Sequence, residues 1–317
     1  WHSLFRNPLV AKVALILCKQ RVWDAPTAQL KEDAFAILGV YAWLCGDYKT
    51  AAQAFERSPG RFSRSVIFQL RPFIGWNENL IRGEAAIFAA GMGSLWTTTE
   101  HQLQERDYAP AEKGAEAIRA KVGGAGAELA SSRLAVIKFE RQLAQGEWTS
   151  LHIDPSLAGW QIQKGDWEGS SDGALINRGR GTSALIYHQG RVGSEFQIRG
   201  EFESQASGLG IILGYGTDVH AEQWVTCLQN KSRAYILHRY NPSSIKDEPI
   251  HESRVPASFL ITCQDGKITY AINGHNVFTQ AEFGSPAERD SALKFLKNGR
   301  VGFCHYFFGK DSLTRIG

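Results

Sequence analysis

With one methionine, ten prolines and five cysteines in 317 residues, the chain lacks the raw material of several protein classes. Cys18, Cys45, Cys227, Cys263 and Cys304 are odd in number and widely scattered, without a CxxC or a Cys/His spacing. Neither a disulfide scaffold nor a structural zinc site is implied. Most of these cysteines stand among apolar neighbours and read as small buried hydrophobes, although a bridge between Cys263 and Cys304 stays open. Long apolar runs are also missing. Pro8 to Leu17 is broken by Lys12 and reaches about half of the ~20 residues a bilayer requires. Cys18-Lys19-Gln20 then stands where a cleavable signal would need small residues. There is no surplus of basic charge. Residues 1–147 carry 18 Lys+Arg against 15 Asp+Glu, and residues 148–317 carry 17 against 17. Neither half has the basic concentration of a nucleic-acid binder. No HExxH, Walker loop or GxGxxG occurs, and Gly208-Leu209-Gly210 opens a strand pattern, not a helix. No cofactor or metal is called for. A chain that opens on Trp1 and has its sole methionine at Met92 reads as a piece of a larger protein. The compartment stays open, with the cytoplasm favoured over periplasm or exterior.

What is present divides into two halves, 1–147 helical and 148–317 β-rich, an α + β multidomain layout. Pro8 sits well for a first helical turn, and Leu9, Val13 and Leu15-Ile16 recur at helical spacing. Ala25-Pro26-Thr27 breaks that pattern. The spacing predicts helices from Ala28 to Cys45, from Asp47 to about Arg57, from Asn77 (a candidate N-cap) to Ala90, from Ala109 to Val122, and from Ala125 to Gln145. Ser65 to Leu70 is apolar and reads as a helix cut by Pro72. Ser94-Leu95-Trp96 and three threonines read as an irregular connection.

Phe35, Leu38-Gly39, Ala42, Gly46-Asp47-Tyr48, Ala51, Phe55 and Ser58 form a register that resembles a tetratricopeptide repeat over residues 31–59. The pattern has a physical basis. Gly39 and Ala51 let two antiparallel helices approach closely, while Phe35, Leu38 and Phe55 fill the space between them. The resemblance implies protein contacts. A single such repeat cannot bury its own apolar face, so the helix around Leu9–Lys19 is expected to belong to a degenerate preceding repeat.

From Trp160 the period changes to two. Trp160–Gln163, Ala174–Ile176, Ser183–Tyr187 and Ser194–Glu203 read as strands, with Ser171-Asp172-Gly173 as a tight turn. Along the last of these, Phe196, Ile198 and Phe202 share one face, and Gln197, Arg199, Glu201 and Glu203 the other. Leu209–Tyr215, Gln223–Gln229, Arg233–Tyr240, Ala257–Cys263, Lys267–Ile272 and Val301–Phe307 continue the series. Asp265-Gly266 and Asn273-Gly274 make hairpin turns on either side of Lys267–Ile272. The order of Trp160, Asp172-Gly173, Ser183–Tyr187, Glu201, Ile272-Asn273-Gly274, Gly299 and Gly302 resembles a concanavalin A-like jelly roll over residues 157–316. Within that group it is most similar to the 3-keto-disaccharide hydrolase-like domain. The resemblance implies an acidic residue in the strand after the Gly-Ile segment. Glu222 is the nearest match, followed by Trp224 where the pattern differs.

A glycosidase needs two carboxylates facing one cleft. Glu201 and Glu222 are the catalytic candidates, with a histidine beside them. Aromatic rings that stack on sugars are the other source of a site. Arg199, Glu201, Trp224, His238, Tyr240 and His305 are therefore the candidate ligand-binding residues. Three readings follow. The first is a non-enzymatic scaffold, with helical repeats for protein contacts and a lectin-like sandwich for carbohydrate or protein. The second is a glycoside hydrolase-type enzyme acting through the sandwich carboxylates. In the third, the sandwich is an architectural spacer.

Overall fold

The computed structural model describes residues 7–63, 65–66, 78–151, 153–177, 184–193, 195–204, 209–215, 223–228, 233–238, 241–249, 256–265, 267–282, 299–305 and 314–316. The N-cap expected at Asn77, most of the Ser65–Leu70 segment, Pro72, Ser183, Ser194, Gly208, Glu222, Gln229, Tyr240, Gly266 and Phe307 lie outside these. The chain separates into two compact units, Trp1–Lys138 and Phe139–Gly317.

The described helices of the first unit are α1 (Pro8–Asp24), α2 (Ala28–Leu44), α3 (Tyr48–Glu56), α4 (Glu78–Ala89), α5 (Gly93–Gln104), α6 (Tyr108–Lys121) and the greater part of α7 (Gly124–Ala144). Side chains start the early ones. Asn7 accepts from the Leu9 amide at 3.0 Å, Thr27 from Leu30 at 3.2 Å and Asp47 from Thr50 at 3.2 Å. Left-handed residues end α2, α4 and α5, at Gly46, Gly91 and Arg106, and each is followed by an amide that reaches back to the last turn. Gly39 is where α2 meets α3, since a Cβ there would overlap the Phe55 ring. Ala51 is fully buried beside it. The same Asp-Tyr-x-x-Ala run recurs at Asp107, Tyr108 and Ala111, where α6 packs on α5 through Gly114 and Thr99. Arg82 ties down the connection after α3, donating to the Ser58 and Gly60 carbonyls at 2.7 Å each.

The helix α5 corrects the expectation of an irregular connection. Thr97, Thr98 and Thr99 return their hydroxyls to the carbonyls four residues back, at 3.0, 3.0 and 2.8 Å. Trp96, Thr99 and Leu103 then form a buried stripe at helical spacing. Burial of Trp96 outweighs the weak helix propensity of the threonines.

After the end of α7 the described elements of the second unit are all strands. Its strands are β1 (Trp160–Lys164), β2 (Trp167–Gly169), β3 (Leu175–Asn177), β4 (Ala184–Arg191), β5 (Phe196–Ser204), β6 (Leu209–Tyr215), β7 (Gln223–Leu228), β8 (Arg233–His238), β9 (Asn241–Pro249), β10 (Ala257–Gln264), β11 (Lys267–Ile272), β12 (His275–Glu282), β13 (Arg300–His305) and β14 (Thr314–Ile316). They form two seven-stranded antiparallel sheets. The first runs β1-β4-β13-β6-β7-β8-β9 and the second β12-β11-β10-β5-β14-β3-β2. One apolar core draws on both, with Ile186, Ile211 and Phe303 from the first sheet and Ile198, Phe259 and Ile261 from the second. Each such side chain stabilises the sandwich by about 1.5–3 kcal/mol. The alternation along β10 is strict, with Ala257, Phe259, Ile261 and Cys263 inward. Asn273 and Gly274 both take positive φ, 49° and 79°, and turn β11 into β12. Cys263 and Cys304 are both free and buried, so no bridge joins them, and burial pushes the Cys263 thiol up to about 12. β9 was not expected from its polar sequence.

Candidate functional site

The alternation of β5 builds the surface of interest. Ile198 and Phe202 enter the core, which turns Gln197, Arg199 and Glu201 outward, all three exposed. Their partners on β10 are Thr262, Leu260 and Ser258. Leu260 is itself exposed, so the outer face of the second sheet carries an apolar spot among polar groups. The Arg199 guanidinium lies over the Trp148 ring, 4.5 Å from its centre. Such a stack is worth about 0.5–1 kcal/mol at an exposed site. Trp148 is 57% exposed and offers an aromatic surface flanked by a cation. Glu203 follows Glu201 on the same face, roughly 6.5–7 Å along the strand, and stands opposite Arg315 in register.

Beside this face is a cavity of about 560 Å³. It is lined by Val301 and Phe303 of the first sheet, by Ile198, Phe259 and Ile316 of the second, and by the segment from Gly146 to Leu151 that follows α7. Trp148, Glu195, Gln197 and Arg199 contribute to its rim. The volume is within the range of small-ligand pockets.

Two buried polar arrangements lie nearby, on β4. His188 is 2% exposed, with Phe139 4.3 Å from its ring and the Trp160 ring edge-on at 5.3 Å. The Gly190 amide donates to its Nδ1 at 3.1 Å. Burial, with a smaller effect from Arg300, lowers its pKa to about 3, so the imidazole is neutral. Glu140 is equally enclosed. Its carboxylate accepts from Arg191 Nη2 at 2.6 Å, from Arg191 Nε at 3.0 Å and from the Arg191 amide at 2.9 Å. These groups fix the strand that leads into the turn before β5.

The expected site residues are divided. Arg199 and Glu201 share the outer face of the second sheet. Trp224, His238 and His305 lie on β7, β8 and β13 of the first. Register separates those three as well. Trp224 is opposite Ile212 and Leu237, whereas His238 is opposite Gln223, which places the Trp224 and His238 positions on opposite faces. His305 continues the alternation of Val301 and Phe303 and is opposite Leu209. Among the described residues, no group of three or more His, Cys, Asp and Glu is placed to hold a metal ion. No described helix is long and apolar enough to cross a membrane. Trp148 was missed by sequence reasoning. Its one signal was an aromatic residue in an irregular segment between Gly146 and Asp154-Pro155.

No family model matches this sequence, and no curated protein matches it. Solved structures similar to it include a carbohydrate binding module from Bacillus subtilis, at 11% identity over 50% of this chain and 91% of that one, with a TM-score of 0.36. A sialidase is similar at 11% identity and a TM-score of 0.38, over 51% of this chain and only 16% of its own. A protein of unknown function with a galectin-like fold from Bacillus subtilis matches at 11% identity over 52% and 90%, with a TM-score of 0.38. At these identities and scores the likenesses decide neither ligand nor activity.

Proposed function

We propose that the sandwich unit is a non-enzymatic recognition module that binds a carbohydrate on the outer face of its second sheet. The observation that carries this reading is the exposed Trp148 ring stacked by Arg199, with Gln197 and Glu201 on the same strand face. An aromatic plane receives the apolar side of a sugar ring, and adjacent charged groups bond its hydroxyls. Trp224, His238, Tyr240 and His305 remain candidate contacts of the sandwich unit, with Trp224 and His238 at positions on opposite faces of the first sheet and so not parts of one surface. The helical unit serves protein contacts through tetratricopeptide-like hairpins. Support comes from the paired hairpins α2–α3 and α5–α6, and from the apolar row Leu9, Val13 and Ile16 that α1 leaves more than half exposed. A glycan-array screen of the whole chain tests the sugar reading, with Trp148→Ala, Arg199→Ala and Glu201→Gln alongside. Binding that weakens in these variants while the fold persists supports it. Binding that is indifferent to all three, or a silent array from folded protein, refutes it.

A further inference from the structure

The outer face of the second sheet continues beyond the pair formed by Trp148 and Arg199. Ile198, Ile261, Tyr270 and Ile272 enter the core from β5, β10 and β11, so the residues that alternate with them turn outward on all three strands. Register sorts these outward residues into rows that cross the strands. The middle row runs from Arg199 through Leu260 to Ala271 and reaches the exposed Asn276 of β12. Leu260 is 39% exposed there. Gln197, Thr262 and Thr269 make the row on one side, and Glu201 and Ser258 stand on the other. Leu260 and Ala271 are thus an apolar track leading away from Arg199, bordered on both sides by amide, hydroxyl or carboxylate groups.

We propose that this track receives an unbranched, neutral oligosaccharide chain laid across the strands, with one sugar unit on Trp148 and the next ones over Leu260 and Ala271. The inference rests on the sugar reading of Trp148 and Arg199 and adds the form of the ligand. Three features select a chain over a single terminal sugar. The first is length. β5, β10, β11 and β12 are consecutive neighbours in the sheet, and at ~4.8 Å per strand the row from Arg199 to Asn276 is roughly 14 Å long, room for about three sugar units. The second is the match of surfaces. Each unit of such a chain presents an apolar C–H side to the track and hydroxyl edges to the borders, where Thr262 and Thr269 offer groups that both donate and accept. The third is charge. Arg199 and Glu201 balance each other beside the track, which suits a neutral chain.

A length series tests the proposal. Glucose, mannose, xylose and N-acetylglucosamine, each as the single sugar and as its β1,4-linked di-, tri- and pentasaccharide, are titrated in solution against the full chain. For a sugar that binds, affinity should rise about tenfold or more from the single sugar to the trisaccharide and change little beyond it. Leu260→Ser should cut that trisaccharide-to-single-sugar ratio by about threefold or more, and Asn276→Ala, at the exposed far end, should lower it in the same direction. Trp148→Ala should instead weaken every length, the single sugar included. A ratio near one in the parent overturns the chain reading, while the sugar reading stands as long as Trp148→Ala weakens binding. A ratio that neither Leu260→Ser nor Asn276→Ala lowers also overturns the inference, because the chain then lies elsewhere. Silence at every length refutes the sugar reading itself, and the inference with it.

Discussion

Acidification should loosen the sandwich unit through His188. An unfolded histidine titrates near 6.5, whereas the buried ring of His188 has its pKa lowered to about 3. Because the folded value lies below the unfolded one, the neutral ring contributes its full stability above about pH 6.5. That contribution drains away as pH falls towards the folded value. Between about pH 7 and pH 5 the unfolded chain takes up nearly one proton that the folded ring refuses, a loss of about 2 kcal/mol. The figure depends little on the folded value, provided that it stays well below 5. Glu84 of the helical unit acts in the opposite sense. Burial raises its pKa, so its effect on stability is favourable at low pH and lost as pH rises. The assay must therefore report the units separately, as urea unfolding followed by hydrogen-exchange mass spectrometry does. Peptides from β4 and β13 should lose about 2 kcal/mol of protection at the lower pH. In His188→Phe the Gly190 amide loses its acceptor at every pH, but the pH slope should flatten. An unchanged slope in His188→Phe would refute the assignment.

Other substitutions test other joints. Glu140→Ala leaves the Arg191 guanidinium largely enclosed without its carboxylate and should cost the sandwich about 2–4 kcal/mol in urea; a loss below about 1 kcal/mol would place the pair with ordinary surface bridges. Glu84 accepts the indole N–H groups of Trp43 and Trp96, each at 3.1 Å. Glu84→Leu should destabilise the helical unit by about 2–4 kcal/mol and Glu84→Gln by less, measured by thermal unfolding; equal losses would mean that the hydrogen bonds are immaterial. At Gly39, a methyl group collides with the Phe55 ring, so Gly39→Ala should cost about 1–2 kcal/mol despite alanine's better helix propensity. A stabilised Gly39→Ala protein would show that α2 and α3 are not in close contact there.

The two-sheet sandwich was legible because its signals are local. Period-two runs such as Phe196–Phe202 and turn pairs such as Asn273-Gly274 act over a few residues, and the structure realises both. The left-handed helix ends at Gly46 and Gly91 were equally readable. What escaped depends on partners distant in sequence. The threonines of α5 look like a loop until Trp96 is buried, and the polar β9 becomes a strand only because β8 offers it an edge. Glu140 and Arg191 are 51 residues apart, and no spacing rule links them. Trp148 gains significance only because Arg199 lies against it. The split of the expected site is of the same kind. Alternation within a strand says which residues share a face, but not which sheet that strand joins.

Sugar recognition on the Trp148 face is the central claim, and calorimetric titration of a glycan selected by the array measures it most directly. Trp148 is more than half exposed, so Trp148→Ala should cost the fold no more than about 1 kcal/mol, the worth of the Arg199 stack. It should lose affinity by about tenfold or more, the equivalent of about 1.4 kcal/mol. Equal affinity in the parent and in Trp148→Ala would contradict the account.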